Sequence, residues 1–237
     1  MYNQQVSMID MMSTEEKYVR RISREMARPF IESIHYSRNL PSNVTDAFGL
    51  FVNGEMVGVV TYGIPASNTL CFGLAGEENK SMVRELNRLA ILPNVPGGGK
   101  NYASYLVSHS LKELPDGTFV VSYADTAWTH VGYVYQACNF LYTGMSAKRV
   151  DTYQPSGSHP RHRDKNSGDL HQTRSAKHRY VYLVGNKRTK KRMLSELKYP
   201  VIPQYPKGDE VRYDTDNPVR AVPIEIVGKK GDNESQQ

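Results

Sequence analysis

Between Glu85 and Leu111 the chain reads ELNRLAILPNVPGGGKNYASYLVSHSL: an apolar run of strand length, three consecutive glycines, then apolar residues at helical spacing. No other stretch narrows the choice of fold so far. Leu86, Leu89, Ile91 and Leu92 fit one strand, while Tyr102, Leu106, Ser110 and Leu114 recur every four residues, the repeat of a helix face. Pro115-Asp116-Gly117 then closes that helix with turn-forming residues. Bare backbone at a strand-to-helix junction turns N–H groups toward an anion that also feels the electropositive helix end, so such a loop can cradle a pyrophosphate. Three glycines alone, without that context, read first as a flexible connection that reverses the chain. The pattern N-x-x-G-G-G from Asn94 to Gly99 has neither Walker nor Rossmann spacing, which sets aside simple kinase and dehydrogenase readings.

The flanking elements extend an α/β order. Ser13 and Glu16 have capping-box spacing, and Tyr18, Val19, Ile22 and Met26 follow at helical intervals, so a first helix is expected there. Pro29 is expected to end it and to open a second short helix presenting Phe30, Ile31 and Ile34. Phe48–Val52 and Met56–Tyr62 flank Asn53-Gly54, the pair that most strongly signals a two-residue hairpin. Thr69–Leu74 reads as a further strand and Glu77–Val83 as a short helix or turn. Beyond the glycines, FVVSYAD (119–125) is a buried strand, THVGYVYQACNF (129–140) a helix and LYTGMS (141–146) a strand. Strand, helix, strand, helix, strand is the order of an open sheet covered by helices. Residues 151–176 show no period, KHRYVYLVG (177–185) alternates as a strand, NKRTKKRMLSELK (186–198) is a basic helix, and prolines recur from Tyr199.

Charge bears on function more than composition does. The chain carries a net charge of +6, yet residues 148–200 hold fourteen Lys and Arg against four Asp and Glu, so the remainder is acidic. A segment so basic suits a polyanion, nucleic acid above all, although an isolated charge run is also read as a solvated face. Lys177, Arg179, Lys187, Arg188, Lys190, Lys191 and Arg192 are its candidate phosphate contacts. Tyr180 and Tyr182 share one strand face, where core packing outweighs base stacking. No apolar run approaches the roughly 18 residues of a membrane span. No basic-then-apolar leader opens the chain, so a cytoplasmic location is expected. Cys71 and Cys138 are too few for a disulfide framework or a cysteine-rich zinc site and read as small apolar packers. One main domain over 1–200, including the basic segment, with a proline-rich and polar tail over 201–237, accounts for the length.

A hairpin, an apolar strand, a glycine loop opening a helix, then strand, helix and strand, resembles the GNAT acyltransferases. That resemblance implies a mixed, mostly antiparallel sheet flanked by helices, here with a basic C-terminal extension. It also implies a pyrophosphate loop for acetyl-CoA built from Leu92, Asn94, Gly97, Gly98, Gly99, Lys100, Asn101 and Ser104. Asn94 departs from the superfamily's usual Gln or Arg. VYQACNF is similar to the superfamily's "LYEK-GF" ending, which sets Tyr135 where a thiolate-protonating tyrosine is common, and Asn139 replaces its glycine.

The wording is closer still to one family. IHYS (34–37), ELNRLAILPN (85–94), VVSYADT with His130 and Gly132 following, YQACNFLYTG (135–144) and KHRYVYLVG (177–185) resemble the phage Mom family of DNA adenine-modification proteins, over about residues 28–200. The resemblance implies transfer of a carbamoylmethyl group to N6 of adenine in phage DNA, which blocks host restriction. It implies duplex DNA with an extruded adenine as partner, and activity at His35, Tyr36, Arg88 and Asp125, with Tyr135 from the wider superfamily. By chemistry, His35 could act as base, Asp125 could orient that base or bind metal, and Arg88 could hold an anion or the target nucleotide. A carbamoylmethyl group is joined through its methylene carbon, whereas acetyl transfer joins the carbonyl carbon. Acetyl transfer alone does not make that bond, so beside acetyl-CoA another acyl or glycyl donor is open, as is a metal that redirects the chemistry, with iron held by His35, Tyr36 and Asp125 an option. Two other readings stand beside this one: a conventional acetyltransferase for a protein, small-molecule or nucleic-acid amine, and a non-catalytic DNA-binding protein on the same fold. The oligomeric state is open, a homodimer included.

Overall fold

A computed structural model describes residues 15–95, 101–152, 171–208 and 226–227. The chain divides into two compact units, the first comprising Met1–Ile64 and Leu86–Leu114, the second Pro65–Glu85 and Pro115–Gln237. Seven strands hydrogen-bond in the order β1 (Lys17–Arg21), β2 (Val44–Val52), β3 (Glu55–Gly63), β4 (Val83–Ile91), β5 (Phe119–Asp125), β9 (Lys177–Leu183) and β6 (Leu141–Met145), and β10 (Ile226–Val227), β8 (His171–Arg174) and β7 (Arg149–Thr152) form a separate small sheet. This is the mixed, mostly antiparallel, helix-flanked sheet expected from the sequence.

In the first unit, β1 (Lys17–Arg21) pairs antiparallel with β2 (Val44–Val52), and β2 with β3 (Glu55–Gly63). The hairpin turn falls on Asn53 and Gly54, both with positive φ (49° and 84°), as a primed turn demands. The expected first helix is instead β1. KYVRR lies on the sheet edge opposite the apolar Phe48–Val52, and Ile22 has its side chain in the core. The helix α1 (Arg24–Ile34) begins only at Ser23, whose hydroxyl accepts the Met26 N–H at 3.2 Å. Pro29 does not break it. The ring sits on the exposed face, away from the buried Ala27, Phe30 and Ile31. Ala27, Phe30 and Ile31 pack with Leu40, Phe51 and Val59. After β4 (Val83–Ile91) the chain reaches α3 (Tyr102–Ser110), which is fixed by a buried Tyr62–Ser110 hydroxyl pair at 2.7 Å.

In the second unit, Thr69–Leu74 is not a strand but the first half of α2 (Asn68–Asn79), capped by the Ser67 hydroxyl. A short apolar run cannot by itself distinguish a buried strand from a helix. Here Cys71, Leu74 and Ala75 bury one helix face beside Phe119, Val121 and Met193. The first residues of β4 pair parallel with β5 (Phe119–Asp125), Val83 to Glu85 against Phe119 to Val121. The helix expected over 129–140 shrinks to α4 (Tyr133–Ala137), because Thr129, Gly132 and Asn139 take positive φ. β6 (Leu141–Met145) and β5 both pair antiparallel with β9 (Lys177–Leu183), which leads to the basic helix α5 (Lys187–Glu196). The stretch read as aperiodic carries β7 (Arg149–Thr152) and β8 (His171–Arg174), paired antiparallel, with β10 (Ile226–Val227) against β8.

The segment after α5 is tied down along β6 and α4. The Ile202 N–H donates to Tyr142 O at 2.8 Å, the Tyr205 hydroxyl to Phe140 O at 2.7 Å, and the Tyr133 hydroxyl to Gly208 O at 2.6 Å. Residues 202–208 are thus hydrogen-bonded to β6, α4 and the residue before β6. Among the described residues no helix is long and apolar enough to cross a membrane.

Candidate functional site

The first unit brings His35, Tyr36 and Arg88 together. His35 is the C-cap of α1, its backbone N–H still donating to Ile31 O at 2.9 Å, so the helix end fixes the ring at the start of the IHYS turn. The imidazole is 8% exposed, and Tyr36 lies against it with ring centroids 4.3 Å apart. The Ser37 N–H donates to His35 Nδ1 at 3.1 Å and the Ser37 hydroxyl lies 2.8 Å from the same atom. A backbone N–H can only donate, so Nδ1 accepts and the neutral ring carries its proton on Nε2. Burial, followed by the nearby Arg88 charge, lowers the His35 pKa to about 3. His35 is therefore neutral at physiological pH and offers a donor, with its acceptor nitrogen already engaged.

Arg88 projects from β4 toward the same turn. Its Nε donates to Asn39 O at 2.8 Å and its Nη1 to Asn87 O at 2.6 Å, so two main-chain carbonyls hold the guanidinium in place. Asn87 is itself held through Oδ1 by the buried Thr61 hydroxyl at 2.6 Å. Both bonds come from the guanidinium N–H groups to main-chain oxygens, so they fix its position on β4 beside the IHYS turn.

Of the loop residues, Gly97, Gly98, Gly99 and Lys100 lie outside the described residues. Leu92 extends the sheet through its N–H to Val57 O at 2.8 Å, and Asn94 lies two residues on. Asn101 is the N-cap of α3 with φ 65°, yet its side chain makes no capping bond. The first N–H groups of α3 are therefore not taken by the residue that usually satisfies them. Ser104 folds its hydroxyl back to Asn101 O at 3.0 Å.

Asp125 and Tyr135 belong to the second unit. Asp125 ends β5, where its carboxylate takes the Lys177 ammonium at 2.8 Å, the Ala127 N–H at 3.0 Å and the Ser175 hydroxyl. Burial pushes the carboxyl pKa up, but the Lys177 and Ser175 hydrogen bonds, the Lys177 charge and the Ala127 N–H together hold it below its ordinary value. The group is an ionised clamp joining β5 to β9. Tyr135 is buried between Phe140 and Tyr180, with both ring centroids 5.4 Å away. Gly132 permits that packing, since a Cβ there would meet both tyrosine rings.

The basic residues sort into engaged and outward-facing sets. Lys177 pairs with Asp125, while Arg179 donates to Thr143 Oγ1 and O and stacks 3.4 Å from the Tyr199 ring centre. Lys190 donates to the Tyr182 hydroxyl at 3.1 Å. Lys187, Arg188, Lys191 and Arg192 are exposed along α5. Tyr180 is fully buried, as the packing expectation requires, and Tyr182 packs against Phe140 with ring centroids 5.2 Å apart.

Comparison with known proteins decides the family. The model of the Mom protein family matches residues 16–207, more than three quarters of the chain. The chain belongs to the Mom protein family. The methylcarbamoylase mom of Escherichia phage Mu is 31% identical over 135 residues, 55% of this chain and 55% of that protein, so the match spans about half of the curated relative. Among solved structures, an acetyltransferase of the GNAT family from Bacillus cereus matches at 12% identity, covering 72% of this chain and 99% of that one, with a TM-score of 0.42. A Salmonella typhimurium acetyltransferase structure with its cofactor acetyl-CoA matches at 10% identity over 72% and 95%, with a TM-score of 0.44.

Within this Mom-family chain, the sequence named His35, Tyr36 and Arg88 but not the groups that orient them. Ser37 was visible beside His35 in IHYS; the carbonyls of Asn39 and Asn87 carry no sequence signal, because any residue supplies one. Among the described residues no group of three or more His, Cys, Asp and Glu is placed to hold a metal ion. Nor do the nominated iron ligands fit one. His35 Nδ1 is committed to Ser37, and the Asp125 oxygens are filled by Lys177, Ser175 and Ala127.

Proposed function

We propose that this chain is a DNA-modification transferase that attaches a carbamoylmethyl group to N6 of adenine and so shields phage DNA from restriction. The observation that carries the reading is the Mom-family match over 16–207, which includes the oriented His35–Arg88 pair. The name of the phage Mu relative, methylcarbamoylase, supports the group transferred.

Adenine N6 is unreachable within the base stack, so the enzyme works on an extruded base. In this reading the neutral His35 offers its Nε2–H to an acceptor nitrogen of the purine, and Tyr36 supplies an exposed aromatic surface beside it. Arg88 holds an anionic part of the nucleotide or of the donor. The bond required runs from N6 to the methylene carbon, so N6 loses one proton and the donor must carry its leaving group on that carbon. Simple acetyl transfer makes an amide instead, which separates this reading from that of a conventional acetyltransferase. In this reading Asn94, Asn101 and Ser104 serve the donor's phosphates if the donor is a coenzyme A derivative.

The test is expression in bacterial cells followed by nucleoside mass analysis of plasmid DNA. Wild type should yield carbamoylmethyl-adenine, and Arg88→Ala should reduce it by at least a hundredfold while the protein still melts cooperatively. Acetyl-adenine, or unmodified adenine from a well-expressed wild type, would overturn the reading.

A further inference from the structure

We propose that the groove between α5 and the outer strands β9 and β6 is a docking surface for the DNA phosphodiester backbone. This deepens the reading of DNA as substrate and rests on it. The groove has a volume of about 370 Å³, an apolar floor formed by Leu141, Leu183 and Leu194, and a rim of Lys187, Lys190 and Lys191.

The helix fixes this arrangement. Asn186 caps α5 by accepting the Arg188 and Thr189 N–H groups, and the fully buried Met193 seats the helix in the core. Lys187, Lys190, Lys191 and Leu194 then fall at i, i+3, i+4 and i+7, the stripe that a globular helix normally fills with apolar residues. Here that stripe carries three lysines and faces the groove with Leu194 still 47% exposed. Arg192 has Glu196 as a partner at 3.9 Å, but among the described residues Lys187 and Lys191 make no ion pair. Among the described residues no carboxylate lines the groove. Like charges at one helical turn repel, so the cluster is relieved by an anion.

The shape of that anion follows from the lining. A nucleic-acid strand alternates anionic phosphates with apolar deoxyribose faces, matching an ammonium rim over a leucine floor. Lys187 and Lys191 are one turn apart, about 6 Å along the axis, on the scale of successive phosphates. Lysines contact phosphates as point charges with little sequence information, which suits a docking contact that reads no base. A second copy of the chain would present the same positive stripe, and an acidic protein would not need the regular charge spacing.

The test is fluorescence anisotropy of a labelled duplex with the full chain across a salt series. For Lys187→Gln/Lys191→Gln the slope of log affinity against log salt should fall by about two, with affinity about tenfold or more weaker. Lys187→Arg/Lys191→Arg should restore binding, and Leu194→Asp should weaken it with the lysines intact. Unchanged slope and affinity in the glutamine variant, with unchanged melting, overturns the proposal. So does displacement of DNA by polyglutamate as effectively as by unlabelled duplex of equal charge, which would point to a protein partner. Modified adenine from wild type together with an unchanged slope removes the groove and leaves the proposed reaction standing. A lowered slope with no modified adenine does the reverse.

Discussion

Replacing His35 by glutamine should remove a specific acid sensitivity of folding. The folded ring has a pKa of about 3, against 6.5 for an ordinary histidine. Between those values the unfolded chain binds a proton that the folded chain refuses, so stability falls as the pH falls through the window. Integrating the linkage gives a loss of about 2 kcal/mol between pH 7 and pH 5, and of about 4 to 5 kcal/mol by pH 3. The structural origin is a ring 8% exposed whose Nδ1 accepts from Ser37, so protonating it costs both solvation and a hydrogen bond. Urea unfolding at pH 7, 6 and 5 measures this directly for wild type and His35→Gln. Other groups that titrate in the same range, including His178, whose burial also lowers its pKa, cancel in the difference. The stability gap between the two proteins should shrink by about 2 kcal/mol from pH 7 to pH 5. A gap constant to within about 0.5 kcal/mol would refute the argument that the ring is held neutral.

Two further substitutions test the framework. Gly54→Ala should cost about 1 kcal/mol in urea unfolding, because φ is 84° there and nothing lies within 4 Å to clash, so the backbone alone sets the penalty. Arg179→Lys should lower stability by about 1 to 2 kcal/mol, since lysine cannot reproduce the paired bonds to Thr143 and the stack on Tyr199. It should leave the salt dependence of DNA binding unchanged.

The sequence was most legible where local chemistry and tertiary packing agree. Asn53-Gly54 could form only a tight turn, FVVSYAD is a strand to the residue, and the basic helix starts at its Asn186 cap. It was least legible where a local signal competed with a partner distant in the chain. Ser13 and Glu16 promised a helix, but the next residues pair across the sheet with Phe48–Val52, a partner about thirty positions away. The Thr69–Leu74 run satisfied the composition of a strand and the period of a helix, and burial against Phe119 and Met193 decided between them. The site behaves alike. Side chains with chemistry announce themselves by type, whereas the commitments that change what they can do were beyond local reading: Lys177 and Ser175 on Asp125, Tyr199 over Arg179. Residue type suggested a base at His35; the hydrogen-bond geometry makes it a donor.

The segment that runs past β6 has a consequence for where the sheet stops. Of its residues, Ile202 gives one N–H to the strand, while Pro200, Pro203 and Pro206 have none to give. A chain of this kind can satisfy a sheet's last strand without offering an equivalent rim to the next molecule, which is how natural sheets avoid growing end to end. Clipping the protein after Pro200 would uncover the carbonyls of Phe140 and Tyr142 and leave a pairing-competent border. Prolines that look like the beginning of a dispensable tail thus serve as the selvedge of the fold.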